Sequence, residues 1–264
     1  RLGGLMAGAI PPYRLPAAAL QADLKRIVDL GVRMETNHPV REPGELLAQG
    51  FAAVYVASGA PLGIPLGIPG EDGPGVYEAL DLLHQVRRQV EGGNRPAPIG
   101  KRVLVIGGGN SAVDAARAAL RLGAESVTLV YRRTRAEMPA IAAEVDEALN
   151  EGVSLQELTI PLRVIHSGGR LVALECQRAT LGEPGADGRR QPVAVPGSEH
   201  GLAADAVVVA IGQRPAAPVT VDPTTCATPH PGIWAGGDAT LGAATVVQAI
   251  ADGRRAAEAI CREL

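Results

Sequence analysis

The stretch that most constrains this chain is residues 101–133, KRVLVIGGGNSAVDAARAALRLGAESVTLVYRR. Residues 102–106 are a short, β-branched apolar run, which reads as a buried strand. Gly107, Gly108 and Gly109 follow at once. An alanine-rich segment then sets Val113, Ala116 and Leu120 on one helical face and stops at Gly123. Residues 127–130 read as the next strand. The result is a β-α-β unit in which Gly107, Gly109 and Ala112 spell G-x-G-x-x-A. Gly107 permits a tight turn, Gly109 lets the backbone approach a pyrophosphate, and small Ala112 lets helix and strand pack closely. The N–H groups of the helix start, near Asn110 and Ser111, face an anion. A glycine triplet alone is a weak signal, and a tight turn without ligand is the competing reading. Enclosed by strand, helix and strand of this length, the triplet predicts a dinucleotide site.

The end of the second strand selects the nucleotide. An NAD site wants an acidic residue about 20 positions on, for the ribose hydroxyls. Here the strand ends Tyr131-Arg132-Arg133, and Glu125 precedes the strand, at the wrong end of the sheet. Two guanidiniums suit a 2′-phosphate, which takes forked, charge-assisted hydrogen bonds. The expectation is NADP(H) rather than NAD(H). The alternative is a solvated basic turn, since exposed arginines are common.

Composition narrows the remaining classes. At 264 residues the chain has room for one large or two medium domains. It is 46% apolar but only 2% aromatic, so Val, Leu, Ile and Ala must fill the core. A net charge of −3 argues against a nucleic-acid partner. No apolar run reaches the ~18 residues of a membrane span, and no signal-peptide pattern opens the sequence. Cys176, Cys226 and Cys261 are far apart and form no C-x-x-C, so no iron–sulfur, zinc or redox-dithiol site is encoded. A reducing, cytoplasmic setting is the simplest fit.

Along the chain, residues 1–16 read as loop, broken by Pro11, Pro12 and Pro16. A helix is expected from Pro16 to Gly31, with Leu20, Leu24, Ile27 and Val28 inward. Residues 32–36 and 51–57 read as strands, 61–75 as a linker, and 76–90 as a helix. A helix over 139–151 carries Glu144, Asp146 and Glu147; these read as a solvated face rather than an acid–base cluster. Residues 153–158 read as a strand, 162–166 and 171–178 as a hairpin, and 206–211 as an apolar strand. A final helix over 244–262 should bury Val247, Ile250 and Ile260, with its N-terminus as a second dipole-binding point.

Several separated motifs resemble one family, the flavin- and pyridine-nucleotide-dependent oxidoreductases, and most closely the glutamate synthase small (beta) subunit and its relatives. They are GGLMAGAIPPYRLP at 3–16, VASGA at 56–60, IPGEDGPGVYEALDLL at 68–83, VLVIGGGNSAVDAARAALRLGA at 103–124, VYRRTRAEMPA at 130–140, VVAIGQRP at 208–215 and GIWAGGDATLGAATVVQAIADGRRAAEAI at 232–260. They lie in the family's order and cover nearly the whole chain.

The resemblance implies an α/β fold in which a Rossmann-like NADP-binding domain (99–204) is inserted in an FAD-binding domain, supplied by 1–98 and 205–264. It implies two cofactors, NADP(H) and FAD. The residue matching Asp238, in the turn with Gly237, holds the ribityl or phosphate end of FAD. Backbone at Thr245 and Val246 lies beside the flavin ring, residues 57–60 close around the FAD nucleotide, and Gly212 lines the region where nicotinamide meets flavin. Arg132 and Arg133 match the 2′-phosphate clamp. The implied activity is hydride transfer from NADPH to FAD, with electrons passing on to an iron–sulfur partner or a large catalytic subunit. The cofactors carry that chemistry, so no catalytic residue is named and no metal site is expected. The family's first strand, Gly-rich turn and helix, which hold the FAD pyrophosphate, are not in this sequence, so the FAD site is expected to be incomplete and the chain to be a fragment or part of a split protein. An NADP-binding module or a structural subunit without turnover is the alternative.

Overall fold

The computed structural model describes residues 2–94 and 96–264. Its elements begin with α1 (Gly4–Gly8), α2 (Ala17–Asp29), α3 (Gly44–Ala48), β1 (Val54–Val56), β2 (Leu62–Gly63), β3 (Val76–Glu78) and α4 (Ala79–Glu91). Then come β4 (Arg102–Ile106), α5 (Asn110–Arg121), β5 (Ser126–Val130), α6 (Ala142–Asn150), β6 (Ser154–Gln156), β7 (Thr159–Ser167) and β8 (Arg170–Pro184). The chain finishes with β9 (Arg190–Ala194), β10 (His200–Ala203), β11 (Ala206–Val209), β12 (Gln213–Arg214), β13 (Ile233–Ala235), α7 (Asp238–Leu241) and α8 (Val246–Glu263). They fall into two compact units: the described residues up to Arg33 with 63–212, and 34–62 with 213–264.

The first unit is built on a parallel sheet of order β3-β11-β4-β5-β6. Its strands read as unbroken Val, Leu and Ile because both faces are covered. Successive side chains point to opposite faces. Val103, Val105, Val127, Leu129 and Val208 pack with α4, α5 and α6. Leu104, Ile106, Val130, Val207 and Val209 pack instead with Val164, Leu171, Leu174 and Cys176. Those last residues come from a second, antiparallel sheet of order β10-β8-β7, to which β9 adds on β8. Ala112, Ala115, Ala116 and Ala119 of α5 are fully buried. Small side chains at these positions bring the helix close to the sheet and so fix where its N-terminus emerges.

The second unit pairs β1 with β13 in parallel and packs α8 over a small core of Cys226, Trp234 and Ala256, with Tyr55 and Ile260 at its margin. The inward stripe of α8 is not its apolar residues. Val247 and Ile250, expected inside, are 77% and 66% exposed, while Asp252 and Ala256 are buried. The helix packs through Ala, Gly and Asp at i, i+3 and i+4, because Gly236 and Tyr55 lie too near for branched side chains: a Cβ on Gly236 would sit 2.2 Å from the Tyr55 hydroxyl and 2.9 Å from Asp252 Cβ.

Four further expectations are corrected. Residues 32–36 form no strand. Residues 76–78 are a strand, not the start of α4, because Val76 and Tyr77 find a parallel partner in β11. Glu78 then caps α4 by accepting from the Asp81 N–H at 2.9 Å. Residues 4–8 form a short helix before the prolines take effect. In α2, Leu20 is buried, but Ile27 and Val28 are 45% and 42% exposed.

Candidate functional site: a glycine turn, a basic corner and a second turn

Between β4 and α5 the three glycines do different things. Gly107 has φ +148°, and a Cβ there would stand 2.2 Å from the Ala210 carbonyl oxygen. Its N–H donates to Val130 O at 3.1 Å. Only glycine fits. A Cβ on Gly108 would meet the Tyr131 ring at 2.5 Å. Gly109 is extended, with φ −92° and ψ 176°, and a Cβ on it would meet nothing within 4 Å. Behind it α5 opens without a side-chain cap. The side chain of Asn110 is occupied, since its Oδ1 accepts from the Ile141 N–H at 3.0 Å. The Ala140 N–H donates to Gly108 O at 3.1 Å. The segment before α6 is thereby tied to the glycine turn. Ser111, next in α5, is half-buried. Open space at one glycine, above an uncapped helix N-terminus, suits the pyrophosphate of a dinucleotide.

Beyond β5 the two arginines part ways. Arg132 is exposed, and its guanidinium makes no hydrogen bond or ion pair among the described residues. The Arg133 side chain is only 3% exposed. Its Nε donates to Arg190 O at 2.6 Å and its Nη2 reaches Asp187 Oδ2 at 3.5 Å, both on the β8–β9 hairpin. Between them and α6 lies a 3-10 turn, Arg135–Glu137. Glu137 accepts from the Thr134 N–H and hydroxyl and from Arg190. Those hydrogen bonds, the Thr134 hydroxyl first, hold its carboxyl below the usual carboxylate range. Arg135 pairs with Asp146. The basic corner is thus a braced structure in which one arginine is presented and one is a bolt.

The carboxylates of α6 are ion-pair partners. Glu144 takes Arg14 at 2.6 Å and Glu147 takes Arg117 at 3.0 Å. Arg14 also holds Asp114 of α5 at 2.7 Å. Burial pushes the Asp114 carboxyl up to about 6 against the pull of Arg14, and its Oδ1 has no hydrogen-bond partner among the described residues. Tyr13 lies under the guanidiniums of Arg117 and Arg121, 4.5 and 4.2 Å from its ring centre. Both arginines converge on Glu151, whose carboxyl they hold down to about 2. The outer face of α5 therefore clamps the segment 13–14, and its N-terminus is left for other use.

In the second unit the turn Gly236-Gly237 leads into α7. Gly237 has φ +64°, and its N–H donates to Asp252 Oδ2 at 2.9 Å. Asp252 is 2% exposed and also accepts from Gln248 Nε2 at 2.8 Å and from Arg255. Asp238 is half-buried, and its Oδ1 accepts from the Ala244 N–H at 3.0 Å, closing the loop before α8. The Thr245 hydroxyl caps α8 by accepting from the Gln248 N–H at 3.2 Å. Val246 is 42% exposed beside it. Gly212, at the end of the first unit, has φ +135° and accepts from the Ile64 N–H at 3.0 Å. Of residues 57–60, Ser58 is exposed and Gly59 has φ +73°.

Sequence reasoning overlooked Asp252, Arg14 and Arg190. Asp252 was signalled by Gln248, Asp252 and Arg255 at helical spacing on a face otherwise made of Ala and Gly. Arg190 had no local signal, because it reaches the corner through a hairpin more than fifty residues on. Among the described residues no helix is long and apolar enough to cross a membrane.

A family model described as pyridine nucleotide-disulphide oxidoreductase matches residues 28–253. The chain is 42% identical over 279 residues to the NADP(+)-dependent formate dehydrogenase subunit beta of Moorella thermoacetica, covering 98% of this chain and 38% of that protein. It is 34% identical to the glutamate synthase [NADPH] small chain of Escherichia coli K12, covering 98% and 61%. The chain thus spans less than two thirds of the length of these curated relatives. Among solved structures, Mycobacterium tuberculosis FprA in complex with NADPH superposes with TM-score 0.79 at 20% identity, over 98% of this chain and 74% of that one, which establishes a shared fold.

Proposed function

The chain belongs to the pyridine nucleotide-disulphide oxidoreductase family, and from that premise we propose that it is the nucleotide-handling part of an NADPH:flavin electron-transfer enzyme. The observation that carries the reading is Gly109, open to solvent where Gly107 and Gly108 are blocked by the chain itself. That opening stands directly before the uncapped N-terminus of α5, where backbone N–H groups can meet a phosphate. In this reading Gly107, Gly108, Gly109, Asn110 and Ser111 form the pyrophosphate cradle, and Arg132 meets the 2′-phosphate. Both named relatives carry NADP(+) or NADPH in their names, which supports the choice of nucleotide.

We assign residues 99–204 to NADP(H), and 1–98 with 205–264 to FAD. Gly237 and Asp238 would hold FAD at its ribityl or phosphate end, Thr245 and Val246 would lie along its ring, and Gly212 would line the nicotinamide approach. When bound, FAD supplies the redox chemistry, taking a hydride from NADPH and giving electrons up singly. The protein's own task is orientation: a fixed turn, an uncapped helix N-terminus and an exposed guanidinium, with no side-chain acid or base. The relatives are named as a beta subunit and a small chain, which supports a partner subunit, and we propose that its acceptor is an iron–sulfur centre. Three unpaired cysteines support a reducing, cytoplasmic setting.

The test is reduction of the flavin absorbance of the purified full-length protein. NADPH should bleach it much faster than NADH. Arg132→Ala should raise the KM for NADPH about tenfold, since a charge-assisted hydrogen bond is worth ~1.5–3 kcal/mol. Equal rates with the two nucleotides in the wild type would sink the NADP(H) assignment.

A further inference from the structure

Arg133 and Arg190 form a reciprocal clasp. The guanidinium of Arg133 holds the backbone carbonyl of Arg190 at 2.6 Å. The guanidinium of Arg190 in turn holds Glu137, with Nε at 2.9 Å and Nη2 at 2.6 Å from the same Oε1. Glu137 caps the turn that begins at Thr134, directly after the arginine pair. The tip of the β8–β9 hairpin is therefore fastened to the corner that follows β5. Arg190 nevertheless keeps 52% of its side chain exposed, against 3% for Arg133. Both of its engaged nitrogens serve one carboxylate oxygen, and Nη1 makes no hydrogen bond among the described residues.

A ribose 2′-phosphate carries nearly two charges at neutral pH and takes forked contacts from more than one guanidinium. Arg133 is buried, with Nε on Arg190 O and Nη2 on Asp187. Arg135 is paired with Asp146, and Arg189 with Asp187. Glu137 would repel a phosphate at this corner if it stood alone. Arg190 neutralises it and still offers donors. Resting on the NADP(H) reading above, we infer that Arg190, from the hairpin tip, is the second guanidinium that reads the 2′-phosphate beside Arg132, and that Arg133 is the positioning residue that holds Arg190 in place.

The test compares NADP+ and NAD+ affinities by calorimetry on the full-length protein and on Arg132→Ala, Arg190→Ala and Arg133→Lys. NAD+ lacks the 2′-phosphate and shares every other contact, so its affinity reports whether the fold of the site survives. Arg190→Ala should weaken NADP+ about tenfold, as Arg132→Ala does, and leave NAD+ unchanged. Arg133→Lys keeps the charge but loses the planar fork. It should weaken NADP+ as Arg190→Ala does and speed amide exchange at 185–189. An unchanged NADP+/NAD+ ratio in Arg190→Ala, with the ratio reduced in Arg132→Ala, overturns this inference alone. A wild type that binds both nucleotides equally overturns this inference together with the NADP(H) reading. Arg133→Lys that keeps full NADP+ affinity overturns the positioning role.

Discussion

Two glycine turns lead into two helices in this molecule, and they are used in opposite ways. At 107–109 the first two glycines are packed against the chain, and the third stands open before an uncapped α5. At 236–237 the first glycine is packed against Tyr55 and Asp252, and the second gives its N–H to Asp252. Each following helix region also carries a buried carboxylate. Asp252 of α8 reaches back to the turn before α7. Asp114 of α5 turns away, to Arg14. The second turn is braced by α8, which takes the Gly237 N–H, so what it offers FAD in the reading proposed above is the Asp238 carboxyl. The first turn is left open beside an uncapped helix, which supports its reading as the pyrophosphate cradle.

The sharpest way to break this contrast is to add a side chain at each glycine of the first turn. Gly107→Ala should cost ~3 kcal/mol or more, because its Cβ would collide with a backbone carbonyl in a conformation that L residues avoid. Gly109→Val should leave the melting temperature unchanged, because its backbone is extended and its side chain meets no atom of the protein. The same variant should lose NADP+ binding by calorimetry, because the isopropyl group fills the space the phosphates need. If Gly109→Val binds NADP+ like the wild type, the open glycine is not a cradle.

Asp252 tests the other turn. Asp252→Ala removes the acceptor for Gly237, Gln248 and Arg255 in a buried site. Breaking such a pair typically costs ~3 kcal/mol, with the orphaned N–H as part of that cost. Urea unfolding should show the loss, and amide exchange at Gly237 should rise with it. Asp252→Asn, which keeps one acceptor oxygen, should cost less. A neutral Asp252→Ala would mean that the second turn is as open as the first.

How far the sequence carried follows from how local each feature is. The β4–α5–β5 unit was legible because strand, glycines, helix and strand are contiguous and each follows a short-range rule. The α8 face was misread because the helix buries small residues: Val247 and Ile250 are apolar by nature and exposed in fact. The strand at 76–78 was missed because its partner, β11, lies about 130 residues away. At the basic corner the residue types were legible, but not their division of labour. Arg133 looks like Arg132 in the sequence, and only the distant hairpin shows that one is buried.

The smallest expected effect concerns the carboxylate that turns away. Asp114 faces Arg14 and Glu144, with Arg117 and Tyr13 nearby, and burial lifts its carboxyl from an ordinary 3.8 to about 6. Between those two values the folded protein holds a proton that the unfolded chain releases. Stability from this group is therefore greatest in acid and declines as pH rises from about 4 to about 6. Glu151, held down to about 2, acts in the opposite sense, but its contribution is lost only below its ordinary 4.5. Burial also raises the Glu78 carboxyl, which acts in the same sense as Asp114, so the difference between the wild type and Asp114→Asn isolates the Asp114 share of the window from pH 5 to 6. Asp114→Asn should flatten the fall in unfolding free energy across that window, an effect on the order of 1 kcal/mol. It should leave NADP+ affinity unchanged, because Asp114 serves the segment 13–14 and not the turn. Urea titrations at pH 5, 5.5, 6 and 7 on both proteins supply the measurement. An unaltered slope in Asp114→Asn would show that the carboxyl titrates no differently once folded. A loss of NADP+ binding would show that the outer face of α5 and its N-terminus act together, and the contrast between the two helices would fall.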